Sequence, residues 1–207
     1  MRGGFNMRKG LIFVVSAPSG AGKTSLCKQV VELLPGIRHS ISYTTRTPRV
    51  NEIDGVDYHF VSEDIFVKMV ERDGFVEWAI VHGNKYGTAE ETLRRYEAEG
   101  IDVILDIDVQ GAGQIRQKLN QGVYIFVLPP DPEELEKRLR GRGTEGNELI
   151  KARLLNAREE IGRIVNYDYI IVNDLFEDAV ERLKSVIAAE RCRRELILPQ
   201  IKEDWGI

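Results

Sequence analysis

Short apolar runs alternate along this chain with longer segments in which apolar residues recur every three or four positions. Four continuous apolar runs predict strands buried on both faces: Leu11–Ser16, Val103–Ile107, Val123–Leu128 and Tyr169–Val172. Three segments with helical spacing predict amphipathic helices: Thr24–Leu34, Glu133–Leu139 and Leu175–Arg194. Strands that alternate with helices in this way predict a three-layer α/β fold with a parallel central sheet.

Two segments depart from this alternation. Residues 40–98 contain short alternating pieces such as Tyr58-His59-Phe60-Val61, which predict an inserted lobe with its own small mixed sheet. Residues 140–152 are rich in glycine and charge, and we expect a mobile lid there because few apolar side chains could hold the segment down. In open α/β folds the functional groups lie outside the carboxyl ends of the strands, where both insertions are expected.

The loop between the first predicted strand and helix is the most informative segment. It reads Ser16-Ala17-Pro18-Ser19-Gly20-Ala21-Gly22-Lys23-Thr24 and has the composition of a P-loop, whose backbone N–H groups and helix N-terminus bind polyphosphate. Ala17 occupies the position that is usually glycine. Because Pro18 biases Ala17 to an extended backbone, glycine is not needed there. Lys23 is expected at the β- and γ-phosphates, and the Thr24 hydroxyl at Mg²⁺.

Composition and charge limit the number of domains, the partners and the cellular location that the sequence allows. The 207 residues suit one domain with insertions, and 43% apolar and 30% charged residues are ordinary for a globular protein. A net charge of -4 argues against a nucleic-acid partner. No apolar run reaches the roughly 18 residues of a membrane span. Two cysteines without zinc-like spacing favour a reducing, cytoplasmic compartment. Neither charge nor helix amphipathicity is diagnostic of an oligomer interface.

Charged residues near the predicted strand ends supply candidate chemistry. Asp106 ends the second apolar run, and an acid there in P-loop proteins holds Mg²⁺ or its waters; it could instead cap the next helix. Arg46 and Arg49 lie close together beside Pro48, and two guanidinium groups suit a phosphate monoester. A second group of arginines flanks or enters the predicted lid, where closure would bring cations to a transferring phosphoryl group: Arg138, Arg142 and Arg153.

Taken together, these motifs resemble those of the guanylate kinases of the bacterial catalytic type, which are P-loop nucleoside monophosphate kinases. Besides the P-loop, the stretches that carry the resemblance are Ser42-Tyr43-Thr44-Thr45-Arg46-Thr47-Pro48-Arg49, Gly55-Val56-Asp57-Tyr58, Phe75-Val76-Glu77-Trp78-Ala79, Gly83-Asn84-Lys85-Tyr86-Gly87-Thr88, Leu105-Asp106-Ile107-Asp108-Val109-Gln110-Gly111, Arg138-Leu139-Arg140-Gly141-Arg142-Gly143 and Ile171-Val172-Asn173-Asp174. They follow one another in the family's order over about residues 10–190.

The resemblance implies reversible, Mg²⁺-dependent transfer of the ATP γ-phosphoryl group to GMP, and to dGMP. It implies a disordered tail over 1–9, a core over 10–38 and 99–195, a GMP-binding lobe over about 39–98, the lid over about 140–152, and a C-terminal tail over 196–207. ATP binding is implied for Ala17, Pro18, Ser19, Gly20, Ala21, Gly22, Lys23, Thr24, Ser25, Arg142 and Asn173. Catalysis is implied for Lys23, Arg46, Arg138, Arg142 and Arg153. Metal binding is implied for Thr24 through its hydroxyl and for Asp106 through water.

The resemblance also assigns GMP. Its phosphate falls to Arg46, Arg49 and Tyr58, with Glu52 and Tyr86 nearby, and its guanine to Ser42, Glu77, Thr88 and Asp108. The chemistry of these side chains suits the assignment, since carboxylates accept from the guanine N1–H and N2 amine, and a hydroxyl donates to O6. AMP would leave a carboxylate desolvated and unpaired.

Two other functions stay open at this stage. A non-catalytic guanylate-kinase-like module that binds phosphopeptides would need no phosphate chemistry, whereas Lys23, Asp106 and the lid arginines are all present here. A kinase for another small phosphate ester would need a lobe without guanine-reading side chains. A P-loop GTPase is disfavoured because no Asn-Lys-x-Asp motif occurs; Asn84-Lys85 is followed by Tyr86-Gly87.

Overall fold

The computed structural model describes residues 8–81, 83–119, 121–141 and 147–207. Nine strands and eight α-helices occur within these ranges. The strands are β1 Ile12–Ser16, β2 Ile37–His39, β3 Tyr43–Thr44, β4 His59–Phe60, β5 Phe75–Val81, β6 Asn84–Ala89, β7 Asp102–Asp106, β8 Val123–Leu128 and β9 Tyr169–Val172. The helices are α1 Lys23–Leu33, α2 Glu63–Glu71, α3 Glu90–Ala98, α4 Val109–Lys118, α5 Pro132–Gly141, α6 Asn147–Ile161, α7 Phe176–Arg191 and α8 Arg194–Trp205.

Five strands form a parallel sheet in the order β2-β7-β1-β8-β9. The central strand β1 is fully buried, as its unbroken apolar sequence predicts. Alternate side chains of a strand point to opposite faces, and β1 accordingly places Phe13 and Val15 in one core cluster and Ile12 and Val14 in another. The first cluster includes side chains of α1 and α7, and the second includes side chains of α3 and α4. The predicted three-layer α/β fold is confirmed.

A separate four-stranded sheet has the order β4-β3-β6-β5. It is mixed, because β3 pairs with β4 in parallel and with β6 antiparallel. Strand β5 pairs with β6 on one side only. The sheet and its helices α2 and α3 lie within the segment predicted as an inserted lobe, so the second sheet is confirmed. The division of the chain into core, lobe, lid and tails stays a prediction.

The register of the parallel sheet determines which loops meet. Val15 pairs with Asp106, so the loop that follows β1 lies beside the end of β7. Loops at the carboxyl ends of adjacent parallel strands share one edge of the sheet. Residues 142–146 of the predicted lid, Arg142 included, lie outside the described residues.

Residues 1–7 of the predicted N-terminal tail lie outside the described residues, and both ends of the remaining chain have defined contacts or regular structure. Arg8 and Arg191 donate to the carboxylate of Asp102 at 2.7–2.8 Å, and that carboxylate is fully buried. Residues 194–205 form α8, which contains no buried residue. In the described part of the chain, no helix is both long and apolar enough to span a membrane.

Candidate active site

The loop after β1 has the backbone geometry that polyphosphate binding requires. Gly20 and Gly22 have φ angles of 97° and 86°, in the left-handed region that favours glycine. Gly22 precedes α1, whose first turn begins with Lys23 and Thr24. A Cβ on Gly22 would lie 2.7 Å from the Nδ2 of Asn173, which itself donates to the carbonyl oxygen of Ala21 at 2.8 Å. The loop therefore packs against Asn173, which directly follows strand β9.

Lys23 and Asp106 form an ion pair at this edge of the sheet. Their side chains approach to 2.5 Å, and Lys23 also donates to the carbonyl oxygen of Ile107 at 2.6 Å. Burial alone would raise the pKa of Asp106, but the Lys23 ammonium and a hydrogen bond from Thr24 outweigh it and hold the pKa below its ordinary value. Asp106 is therefore an ionised carboxylate next to the hydroxyl of Thr24.

Helix α6 brings two charged side chains to the same loop residue. Arg153 donates to the Ser19 hydroxyl at 3.2 Å, and Glu160, seven residues later, accepts a hydrogen bond from the Ser19 backbone N–H. Burial, and then the charge of Asp108, raise the pKa of Glu160. Arg138 lies on α5, where it pairs with Glu134 and donates to the Asn173 carbonyl oxygen at 3.1 Å.

In the second sheet, Arg46 is the centre of a polar cluster. Its Nη2 donates to both carboxylate oxygens of Glu52, at 2.8 and 2.9 Å, and its Nε donates to the Tyr86 hydroxyl at 3.2 Å. Its guanidinium lies 5.5 Å from the centre of the Tyr58 ring, and Glu52 also accepts from the backbone N–H of Arg49. The structure thus brings together the side chains of Arg46, Glu52, Tyr58 and Tyr86, with the backbone of Arg49 beside them.

Two carboxylates lie beside each other where this lobe meets α4. Glu77 is only 5% exposed and accepts from the Thr88 hydroxyl at 2.6 Å. The pKa of Glu77 is raised to about 7, chiefly by burial; the Thr88 hydrogen bond opposes this rise, and the charge of Asp108 contributes to it. Asp108 caps α4 by accepting from the N–H groups of Gln110 and Gly111, both at 2.8 Å. A Cβ on Gly111 would lie 2.7 Å from Glu77 Oε2.

A cleft of about 530 Å³ lies between the P-loop, helix α6, the end of β5 and the start of α4. The loop residues 17–25 form one wall, together with Arg153 and Glu160 of α6. Ile80 and Val81 of β5 and Asp108 form the opposite side. A ligand in the cleft would therefore contact both the phosphate-binding loop and the lobe that carries Glu77. Ser42 adjoins the second sheet, where its carbonyl oxygen accepts from His59.

Several residues of the site escaped the sequence analysis. Glu160 lies two helical turns after Arg153, a spacing that places both on one face of a helix, but the segment was assigned to a lid rather than to a helix as far as residue 152. Gly111 and Gln114 follow Asp108 at intervals of three, which is also one helical face. Either pattern can be recognised only when the bounds of its helix are known. For α6 those bounds are hard to predict because its sequence is only weakly amphipathic.

A parallel sheet with a P-loop after its central strand, and an inserted lobe across the cleft, define a P-loop kinase of the nucleoside monophosphate type. The sequence matches the Guanylate kinase family profile over residues 9–190. It is 54% identical over 200 residues to a guanylate kinase of Geobacter sulfurreducens, covering 97% of this chain and 98% of that protein. It is 56% identical over 190 residues to a guanylate kinase of Syntrophotalea carbinolica, covering 92% and 90%. The chain belongs to the guanylate kinase family.

The fold agrees with that assignment. A crystal structure of guanylate kinase from Anaplasma phagocytophilum superposes with a TM-score of 0.78 at 30% sequence identity, and the match covers 95% of each chain.

Proposed function

We propose that this protein transfers the γ-phosphoryl group of ATP to GMP, and to dGMP, in a reversible reaction. The observation that carries the proposal is the meeting of two carboxylates: the buried Glu77 lies beside the half-buried Asp108, and Asp108 lines the cleft together with the P-loop. Burying one carboxylate beside a second one is unfavourable unless hydrogen-bond donors offset the cost. A base with several N–H donors on one edge would supply such donors to both carboxylates.

Guanine fits this pair chemically. Its N1–H and N2 amine donate to carboxylates, and Thr88, held by Glu77 at 2.6 Å, or Ser42 can serve O6. A hydroxyl that donates to Glu77 cannot donate to O6 at the same moment, so we expect the base to redirect the Thr88 proton or to rely on Ser42. Adenine offers an acceptor at N1 and would leave a buried carboxylate unpaired, which accounts for its rejection.

The phosphate chemistry depends on positioning and charge. Arg46, Arg49 and Tyr58 would bind the GMP phosphate, which competes with Glu52 for the Arg46 guanidinium. Lys23 would leave Asp106 and contact the β- and γ-phosphates of ATP. Phosphoryl transfer spreads negative charge over the equatorial oxygens in the transition state, and cations fixed in a dry cleft stabilise that charge most effectively. Closure would bring four cations together around the transferring phosphoryl group: Lys23, Arg138, Arg142 and Arg153. Asn173 would lie beside the adenine of ATP.

Mg²⁺ fits the donor atoms at the P-loop. The Thr24 hydroxyl lies against the ionised Asp106 carboxylate, and hard oxygen ligands are those that Mg²⁺ prefers. Across the described ranges no group of three or more His, Cys, Asp or Glu side chains could hold a metal, so phosphate oxygens and waters would complete the shell. When bound, Mg²⁺ would neutralise charge on the β- and γ-phosphates. Thr24 would contact it directly and Asp106 through water.

We infer the cellular context from the thiols. Cys27 is buried and free, and Cys192 is exposed and free, which is typical of a reducing compartment such as the cytoplasm. We also propose that residues 39–98 act as the GMP-binding lobe and residues 140–152 as the lid.

The test is ADP formation from Mg-ATP with GMP, dGMP, AMP, CMP and UMP in parallel. We expect turnover with the guanine nucleotides, loss of at least about 100-fold in the Lys23→Met variant, and normal turnover in Lys184→Met, a control on the remote helix α7. Binding of GMP without turnover would contradict the enzyme and favour the phosphopeptide-binding module. Turnover with another phosphate ester and none with GMP would favour a kinase for that ester.

A further inference from the structure

One face of helix α4 lies along the open edge of strand β5. Because β5 pairs with β6 on one side only, its other edge has backbone N–H and C=O groups that need partners. The Gln114 side chain supplies them at Trp78: the Trp78 N–H donates to Gln114 Oε1 at 3.0 Å, and Gln114 Nε2 donates to the Trp78 carbonyl oxygen at 2.8 Å. The primary amide thus replaces a neighbouring strand at this residue.

The same face of α4 bears the other groups of the base site. Asp108, Gly111 and Gln114 follow one another at intervals of three residues, so they lie on one side of the helix. Asp108 caps the helix, the Gly111 Cα leaves room for the Glu77 carboxylate, and Gln114 holds the backbone of the residue next to Glu77. Helix α4 and strand β5 are therefore aligned at the point where their two carboxylates meet.

We propose that Gln114 is a positioning residue that holds Glu77 beside Asp108 and thereby determines selectivity for the exocyclic amine of guanine. The inference rests on the proposed GMP kinase function. Two side-chain hydrogen bonds to one residue constrain both the distance and the direction of β5, whereas one hydrogen bond would leave it free to rotate. Displacements of about 1 Å at a positioned group cost on the order of 100-fold, so small shifts of Glu77 would matter.

IMP, whose base is hypoxanthine, measures the contribution of the N2 amine to recognition. IMP has the same phosphate, the same O6 and the same N1–H as GMP, and it lacks only the N2 amine. A site that holds both carboxylates in place should turn over GMP with a higher kcat/KM than IMP, because the carboxylates bind the N2 amine. In a site where Glu77 has moved, this advantage of GMP should be smaller. The ratio of kcat/KM for GMP to that for IMP therefore measures the alignment of the two carboxylates, and a uniform loss of active protein does not change it.

The experiment compares Gln114→Met with two controls. Gln117→Met makes the same change on an exposed face of α4. Lys118→Met removes a different link between α4 and β5, since Lys118 donates to the Phe75 carbonyl oxygen at 2.8 Å, two residues before Glu77. A fourth variant, Gln114→Glu, keeps the acceptor for the Trp78 N–H and loses the donor. Each variant is assayed with GMP, IMP and ATP as the varied substrate, and its melting temperature is recorded.

We expect Gln114→Met to lower the GMP to IMP ratio at least about tenfold, Gln114→Glu to lower it less, and both controls to leave it within about twofold. The KM for ATP should change less than about twofold in all of them. An unchanged ratio in a folded Gln114→Met protein would overturn the proposal, and so would an equal fall in Lys118→Met, because general docking of α4 would then explain the effect. Wild-type turnover with GMP tests the proposed function separately. Where a variant turns over too slowly, the dissociation constants for GMP and IMP are compared instead, and their ratio reports how much the N2 amine contributes to binding.

Discussion

Because the carboxylate of Glu77 is buried, we expect the wild-type protein to have a lower free energy of unfolding than the Glu77→Gln variant, which has an amide there. Glu77 is 5% exposed, and burial raises its pKa from 4.5 to about 7. Between these values the unfolded chain releases the proton while the folded protein keeps it, so the free energy of unfolding falls as the pH rises through this window. Linkage gives a cost of about 1 kcal/mol at pH 5 and about 3 kcal/mol at pH 8.

Glu77→Gln removes this cost without changing the shape of the side chain. The amide oxygen can still accept from Thr88, and the amide N–H groups face Asp108 in place of a second negative charge. For a chain of this length about 1 kcal/mol corresponds to 2–4 °C in melting temperature. We therefore expect Glu77→Gln to melt about 6–12 °C higher than the wild type at pH 8, about 2–4 °C higher at pH 5, and to lose activity with GMP.

Thermal unfolding of both proteins at pH 5, 6, 7 and 8 measures the effect, with urea unfolding as a second probe of the free energy. Glu97→Gln is the matched control, because that side chain lies at the surface near Lys9 and Gln121, remote from the cleft. The reasoning would be refuted if Glu77→Gln were no more stable than the wild type at pH 8, or if its advantage were the same at all four pH values.

Three further changes test other parts of the structure. Lys23→Met should lower kcat at least about 100-fold while calorimetry finds GMP affinity within twofold; a much weaker GMP complex would contradict the assigned role. Gly111→Ala places a Cβ 2.7 Å from Glu77 Oε2, so the KM for GMP should rise at least about tenfold, although alanine favours the helix by about 1 kcal/mol; an unchanged KM would refute the contact. Asp102→Asn removes a fully buried carboxylate with two arginine partners, and urea unfolding should find a loss of about 3 kcal/mol; a loss under about 1 kcal/mol would show that the pair is dispensable.

The sequence was most informative where local pattern and tertiary structure agree. Strand β8 over Val123–Leu128 and strand β9 over Tyr169–Val172 have the predicted bounds, because a run of apolar residues buried on both faces carries its own signal. The P-loop was equally clear, since Gly20 and Gly22 have backbone angles that favour glycine. The helix predicted at Leu175–Arg194 is observed as Phe176–Arg191, and a shift of this size is ordinary for helix ends.

Other elements could not be predicted because their cause is tertiary. Strand β2, Ile37–His39, is an edge strand of three residues that exists through its pairing with β7. Helix α6 has an apolar pattern too weak to reveal its extent, since one of its faces carries Arg153 and Glu160 toward the P-loop. The burial of Glu77 depends on helix α4. That helix begins at Val109, 32 residues after Glu77 in the sequence. The P-loop residues, Asp106 and the arginines were named from the sequence itself, whereas the guanine-binding residues were named from the resemblance; the roles of all of them remain predictions.

The junction between β7 and α4 explains how one short segment can serve both substrates. Asp106 ends β7 and faces Lys23 and Thr24 on the P-loop side. Asp108, two residues later, caps α4 and faces Glu77 on the base side. Because the sheet is rigid, the distance between these carboxylates is set by the backbone of three residues rather than by flexible side chains. If the proposed sites are right, a movement of α4 would displace the base relative to the phosphates, and the hydrogen bonds of Gln114 to Trp78 of β5 would couple the second sheet to that movement. Alignment of the two substrates, which is the main source of rate enhancement in phosphoryl transfer, is in this view a property of the β7–α4 junction.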